Sequence, residues 1–114
     1  MIFMTLQNRL KKFAQIMAAL PVSVSHFHRG KMAPPFVVWQ EEGEGDSLLA
    51  ENARAEFAIA GSLDYFTQTE YDPVVEQIDQ LLEQSTDSWM LVTVLYEEET
   101  KLIHYSWDWE ITDG

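Results

Sequence analysis

The chain predicts an α+β domain built on a mainly antiparallel β-sheet of about five strands, with two helices on one face. Three observations carry this: two stretches with a helical apolar period, five short stretches rich in β-branched and aromatic residues, and short connections between them. The predicted order is αβββαββ. A length of 114 residues suits one domain spanning 1–114. A hydrophobic fraction of 46% against 23% charged places the chain among globular proteins and not among disordered ones.

The first helix is expected over residues 5–20. Leu6, Leu10, Phe13, Met17 and Leu20 recur at helical spacing and share one face. Thr5 offers an N-cap oxygen, and Pro21 ends the helix. Lys11 and Lys12 lie away from the apolar stripe, and Arg9 sits at its edge. A first strand follows over 22–28, where Val22, Val24, His26 and His28 alternate with Ser23, Ser25 and Phe27. Residues 30–35 form a loop. The Pro34–Pro35 pair suits the start of a second strand over 36–42, where no ladder donor is needed.

Residues 41–47 carry four acids, two glycines and no apolar side chain, which predicts a loop. A long third strand is expected over 54–67. Phe57, Ile59, Leu63 and Tyr65 share one face there, and Gly61 falls on that same face as a bulge or a close contact. Asp72 and Pro73 have the chemistry of a helix N-cap and first position. Val74, Val75, Ile78, Leu81 and Leu82 make the buried face of the second helix. Asp72, Glu76, Asp79, Glu83 and Asp87 form an acidic stripe opposite, expected to be a solvated face. The chain closes with a hairpin, strands over 89–96 and 102–111 joined by EEETK.

Charge divides the chain. Residues 1–40 hold Arg9, Lys11, Lys12, Arg29 and Lys31 and no acid, a net +5. Residues 41–114 set Arg54 and Lys101 against all 19 acids, a net −17, which leaves −12 for the whole. An acidic body repels nucleic acid, so sequence-reading DNA binding is not expected. Ends of opposite charge can pair, within one subunit or between neighbours. No segment is long and apolar enough to span a membrane. Lys11 and Lys12 before an apolar stretch have the charge order of a signal peptide, but those apolar residues follow a helix period and do not form a solid block. With no cysteine there is no disulfide framework, thiolate zinc site or cysteine nucleophile, which suits a reducing cytoplasm.

Few constellations carry chemistry. His26 and His28 are the weak metal candidates, sharing a strand face, with His104 as a third imidazole. Glu41, Glu42, Glu44 and Asp46 do not match the calcium-loop spacing and are expected at a solvated tip. No serine-elbow, phosphate-loop or H-E-x-x-H motif is present, so the protein is expected to be neither an enzyme nor a cofactor carrier. Trp39, Trp89, Trp107 and Trp109 are expected to serve as core, since a domain of this size has few apolar residues to spare.

Three stretches together resemble the small tail-terminator and head–tail joining proteins of long-tailed phages and prophages. They are ALPVSVSHFHRGKMAPPFVVWQEEG at 19–43, LDYFTQTEYDPVVEQIDQLLEQ at 63–84, and the aromatic hairpin from Trp89 to Ile111. The chain departs from that pattern at its first four residues, at an extra Tyr71 in the turn before Asp72, and at the run Trp107-Asp108-Trp109-Glu110. The resemblance implies a virion structural protein, assembled in the host cytoplasm. It implies a homo-oligomeric ring, often of six, that caps the tail tube, meets the head connector and lets DNA pass through. Head-to-tail rings use two different patches per subunit. Arg9, Lys11 and Lys12 are the basic candidates and Glu76, Asp79 and Glu83 the acidic ones, while Glu41, Glu42, Glu44 and Asp46 are candidates for the lumen or a tip loop. The competing readings are an acidic DNA mimic that inhibits a basic host protein, and a small metal- or ligand-binding protein.

Overall fold

A computed structural model describes residues 5–45 and 57–112. Their order is αβββαββ: α1 Leu6–Ala18, β1 Ser23–His26, β2 Phe36–Glu44, β3 Ala58–Thr67, α2 Val74–Ser85, β4 Ser88–Glu97 and β5 Leu102–Thr112. The five strands form one sheet in the order β1-β2-β3-β5-β4. All neighbours are antiparallel except β1 and β2, which run parallel.

α1 starts where the sequence places its cap, and α2 starts at Val74, one residue later than expected, with Pro73 as its N-cap. Thr5 Oγ1 accepts from the Asn8 amide at 3.1 Å. The Asp72 carboxylate accepts from the Val74 amide at 2.9 Å, satisfying one of the donors a helix start leaves open. Leu10, Phe13 and Met17 of α1 and Val74, Ile78 and Leu82 of α2 are buried. They pack on one face of the sheet against Val37, Trp39, Leu63, Tyr65, Trp107, Trp109 and Ile111. Alternation along each strand sends the intervening residues to the other face, which neither helix covers.

Gly61 lies on the helix side, as its spacing predicts, and its role is close contact. A Cβ there would overlap the Trp109 indole and the Gln40 carbonyl. The sheet's irregularity on that side falls instead between Glu41 and Gly43. Phe57 is 59% exposed and stands outside the strand. Residues 54–56, assigned to the third strand from sequence, lie outside the described residues.

Three further expectations need correction. The acidic run after Gln40 is not a loop, because β2 continues to Glu44 and pairs with Ala60 and Ile59 of β3. Backbone hydrogen bonds set that pairing, so it needs no apolar side chain. The first strand ends at His26, since Phe27 turns to φ 76° as its amide donates to the Trp39 carbonyl at 2.8 Å. His26 and His28 therefore do not share a strand face. The acidic stripe of α2 is not wholly solvated, because Asp72 is buried and Asp79 is half-buried.

Candidate functional site: a bare sheet edge and an acidic open face

The sequence of β4 is SWMLVTVLYE. A run of this kind, apolar from Trp89 to Tyr96 but for Thr93, normally belongs to a strand covered on both faces. Among the described residues it is an edge strand. Only its first part meets a helix, where the Trp89 indole donates to Glu83 at 2.8 Å. Every residue from Met90 to Tyr96 is exposed, and Met90, Val94, Leu95 and Tyr96 are at least half exposed. An open groove of about 660 Å³ runs beside it on the helix face, floored by Val94, Tyr96, Ile103 and Tyr105 and bounded by Tyr71. Tyr71 stands at φ 54° and is 95% exposed. A long, apolar, uncharged edge is a template for another strand, and natural proteins seldom leave one open to water.

The opposite edge, β1, is short and polar. Its residues Ser23 to His26 pair only with β2 among the described residues. His26 stacks on Trp39 with ring centroids 3.8 Å apart and on Phe27 at 4.0 Å, and its Nε2 meets Glu41 Oε1. Glu41 is thus a partner for His26, on the helix side of the sheet. No group of three His, Asp or Glu side chains is arranged to hold a metal ion among the described residues.

The open face of the sheet is acidic. Alternation from the buried Leu63, Trp107 and Trp109 sends Asp64, Asp108 and Glu110 outward. Glu42, in the irregularity of β2, joins them. Burial raises the pKa of Asp108, and the nearby charges of Glu42 and Asp64 raise it further, as expected where anions crowd one surface. Glu44 is exposed at the end of β2, and Asp46 lies outside the described residues.

One corner of this face is charge-balanced. His104 Nε2 bonds Asp64 Oδ1 at 2.7 Å, and its Nδ1 lies 3.5 Å from Glu97 Oε2. The bond to Asp64 raises the His104 pKa, against the opposing effect of burial, and Glu97 adds to the rise. A raised histidine pKa stabilises the fold fully below the unfolded value of about 6.5, and that stability is lost as pH rises through the folded value. Thermal unfolding at a series of pH values tests this. The gap in melting temperature between the native protein and His104→Gln is expected to be widest at about pH 6 and to narrow above it.

The charged interface candidates divide. Arg9 Nη1 donates to Asp87 Oδ2 at 2.7 Å and to the Thr112 carbonyl at 2.5 Å. Asp87 in turn accepts from the Thr112 amide at 2.8 Å. Arg9 is therefore committed inside its own chain, tying the start of α1 to the beginning of β4 and the end of β5, and is withdrawn as a free lateral cation. Asp79 accepts from the Trp107 indole at 2.9 Å, and Glu83 from that of Trp89. Lys11, Lys12 and Glu76 are exposed, and no ion pair holds them among the described residues.

Sequence reasoning placed the tryptophans correctly as a group, with Trp39, Trp107 and Trp109 buried and Trp89 half-buried. It missed the bare edge beside them, although the lack of alternation in WMLVTVLY was the signal. No helix among the described residues is long and apolar enough to cross a membrane. The chain matches no model of a known protein family, and no curated protein matches it.

Proposed function

We propose that this protein is a structural subunit of a phage head–tail junction, joining copies of itself into a ring that caps the tail tube and surrounds the passing DNA. The observation that carries the reading is the exposed apolar strand β4 at one side of a sheet whose other edge is short and polar. Two unlike edges are what a heterologous, ring-closing contact requires. The division of the faces supports the same reading. With helices outward, the face bearing Glu42, Asp64 and Asp108 would line the lumen, where it neutralises no phosphate and lets DNA slide. The sequence resemblance to tail-terminator proteins gives the ring its place in the virion. An acidic decoy would need an uninterrupted anionic surface, whereas Arg29 and His104 sit among the acids of this face.

Electron microscopy of the purified protein mixed with tail tubes tests the proposal. Annuli at one tip of the tubes are expected, and tubes whose tips stay bare at saturating protein would refute it. Lys11, Lys12 and Glu76 remain as charges that steer assembly. Assembly, followed by sedimentation, is therefore expected to weaken as salt rises from about 0.1 M to about 1 M, over which the screening length falls from roughly 10 Å to roughly 3 Å. Assembly indifferent to salt would remove the charge contribution and leave the apolar edge as the main contact.

A further inference from the structure

Resting on the ring reading, we infer that subunits join by continuing the sheet, with β4 of one copy pairing antiparallel with β1 of the next. The register makes the two edges commensurate. Ser23, Phe36, Phe66, His104 and Leu95 form one row across all five strands. Val24, Val37, Tyr65, Tyr105 and Val94 form the next row, and Ser25 and His26 lie on the rows that end at Thr93 and Leu91. The four residues of β1 thus stand level with the exposed stretch of β4. One parallel step and three antiparallel steps set β1 and β4 in opposite directions, so copies placed side by side meet as antiparallel strands.

Charge selects the same partner. Past Leu95 and Tyr96, Glu97 ends β4, and the turn to β5 carries Glu98, Glu99 and Lys101, so the tip is net acidic. At that level on the β1 side, the Arg29 guanidinium lies 4.6 Å from the centre of the Phe36 ring, and Phe36 pairs with Ser23. Lys31 follows in the same loop and is exposed. Arg29 lines the open face of its own copy beside Asp64 and Glu97, so Lys31 is the charge this loop offers to the acidic tip of the next copy. Two antiparallel β4 edges would set each acidic tip beside the Ser88 end of the other copy, away from a basic loop, and leave the outer edge of β1 open. The open backbone edge of this run is then paired by a neighbour.

The absence of cysteine allows a clean test. Ser25→Cys and Thr93→Cys lie on one row and one face, and Ser23→Cys with Thr93→Cys covers a two-residue slip. Single-cysteine proteins are mixed, assembled on tail tubes and oxidised, then read on non-reducing gels and by microscopy. The expected result is annuli in which Ser25→Cys or Ser23→Cys cross-links to Thr93→Cys, with neither protein cross-linking alone. Adding Val94→Lys to the Thr93→Cys protein is expected to reduce the cross-link at least tenfold while the fold persists, because Val94 is exposed. Annuli without either cross-link overturn the edge pairing and leave the ring. Cross-linked open chains without annuli uphold the pairing and overturn the ring. Neither product overturns both. A Thr93→Cys link formed only to a tail protein assigns the edge to that partner and overturns the pairing of copies.

Discussion

Gly61→Val is expected to destabilise the protein by roughly 3 kcal/mol, the upper part of the range for forcing extra atoms into a packed core. The new Cβ overlaps the Trp109 indole and the Gln40 carbonyl. The indole cannot retreat easily, since it packs on Phe13 with centroids 4.8 Å apart and is fully buried. The carbonyl belongs to the neighbouring strand of the sheet. Relief therefore requires moving a core tryptophan or opening β2 from β3. A loss of on the order of 10 °C in melting temperature is expected for a domain of this size. Gly43→Ala is the control, because nothing lies within 4 Å of the Cβ it would add. It is expected to change stability by no more than about 0.5 kcal/mol. Equal stability of the two variants would contradict the packing described around Trp109.

Asp72→Ala is expected to cost about 3 kcal/mol, because one carboxylate serves three donors. Its oxygens accept from Tyr65 Oη at 2.7 Å, Thr67 Oγ1 at 2.7 Å and the Val74 amide at 2.9 Å. Removing it leaves two buried hydroxyls and a helix-start amide without an acceptor, each costing roughly 1 kcal/mol or more. Burial pulls the Asp72 pKa upward, but the bonds from Tyr65, Thr67 and Val74 outweigh it and hold the carboxyl below its usual value. Burial and the bond to Asp72 push the Tyr65 hydroxyl far above its ordinary value, so it remains a donor. A depressed carboxyl pKa contributes stability above the unfolded value of about 3.9, lost as pH falls through the folded value. Chemical denaturation at neutral pH and at about pH 3 checks both points. The variant is expected to be much weaker than the native protein at neutral pH, with the gap closing in acid. A gap independent of pH would mean that Asp72 acts without its charge.

Much of this fold is written in local pattern. The period of Leu6, Leu10, Phe13 and Met17, and the Asp72–Pro73 start, correspond to α1 and α2 because caps and apolar stripes act within one helix. Ile59, Gly61, Leu63 and Tyr65 share a face because a strand alternates by two. Features set by distant partners were not readable. Arg9 meets Asp87 across 78 residues, a pairing that only the packing of α1 against the sheet creates. The parallel pairing of β1 depends on a strand of four residues. The run from Glu41 to Glu44 reads as a loop by composition, yet backbone bonds to β3 extend it.

The candidate site divides along the same line. That β4 is a strand follows from its residues, whereas its position at the edge follows from sheet order, which no local pattern encodes. Joined together, the two facts change the meaning of WMLVTVLY. A sequence suited to a strand covered on both faces occupies a place where a single copy covers neither fully. The Arg9–Asp87 pair moves the basis of the proposed assembly in the same direction, from opposed charges toward an apolar edge with charges at its ends.

Amide hydrogen exchange over Leu91–Tyr96, compared between the isolated subunit and the protein assembled on tail tubes, probes the edge most directly. Amides of this stretch are expected to exchange freely in the isolated subunit wherever they point away from β5, and to slow on assembly together with those of Ser23–His26. Exchange in Leu91–Tyr96 that is the same in both states, while protection falls on another face, would contradict the account of β4 as the subunit contact.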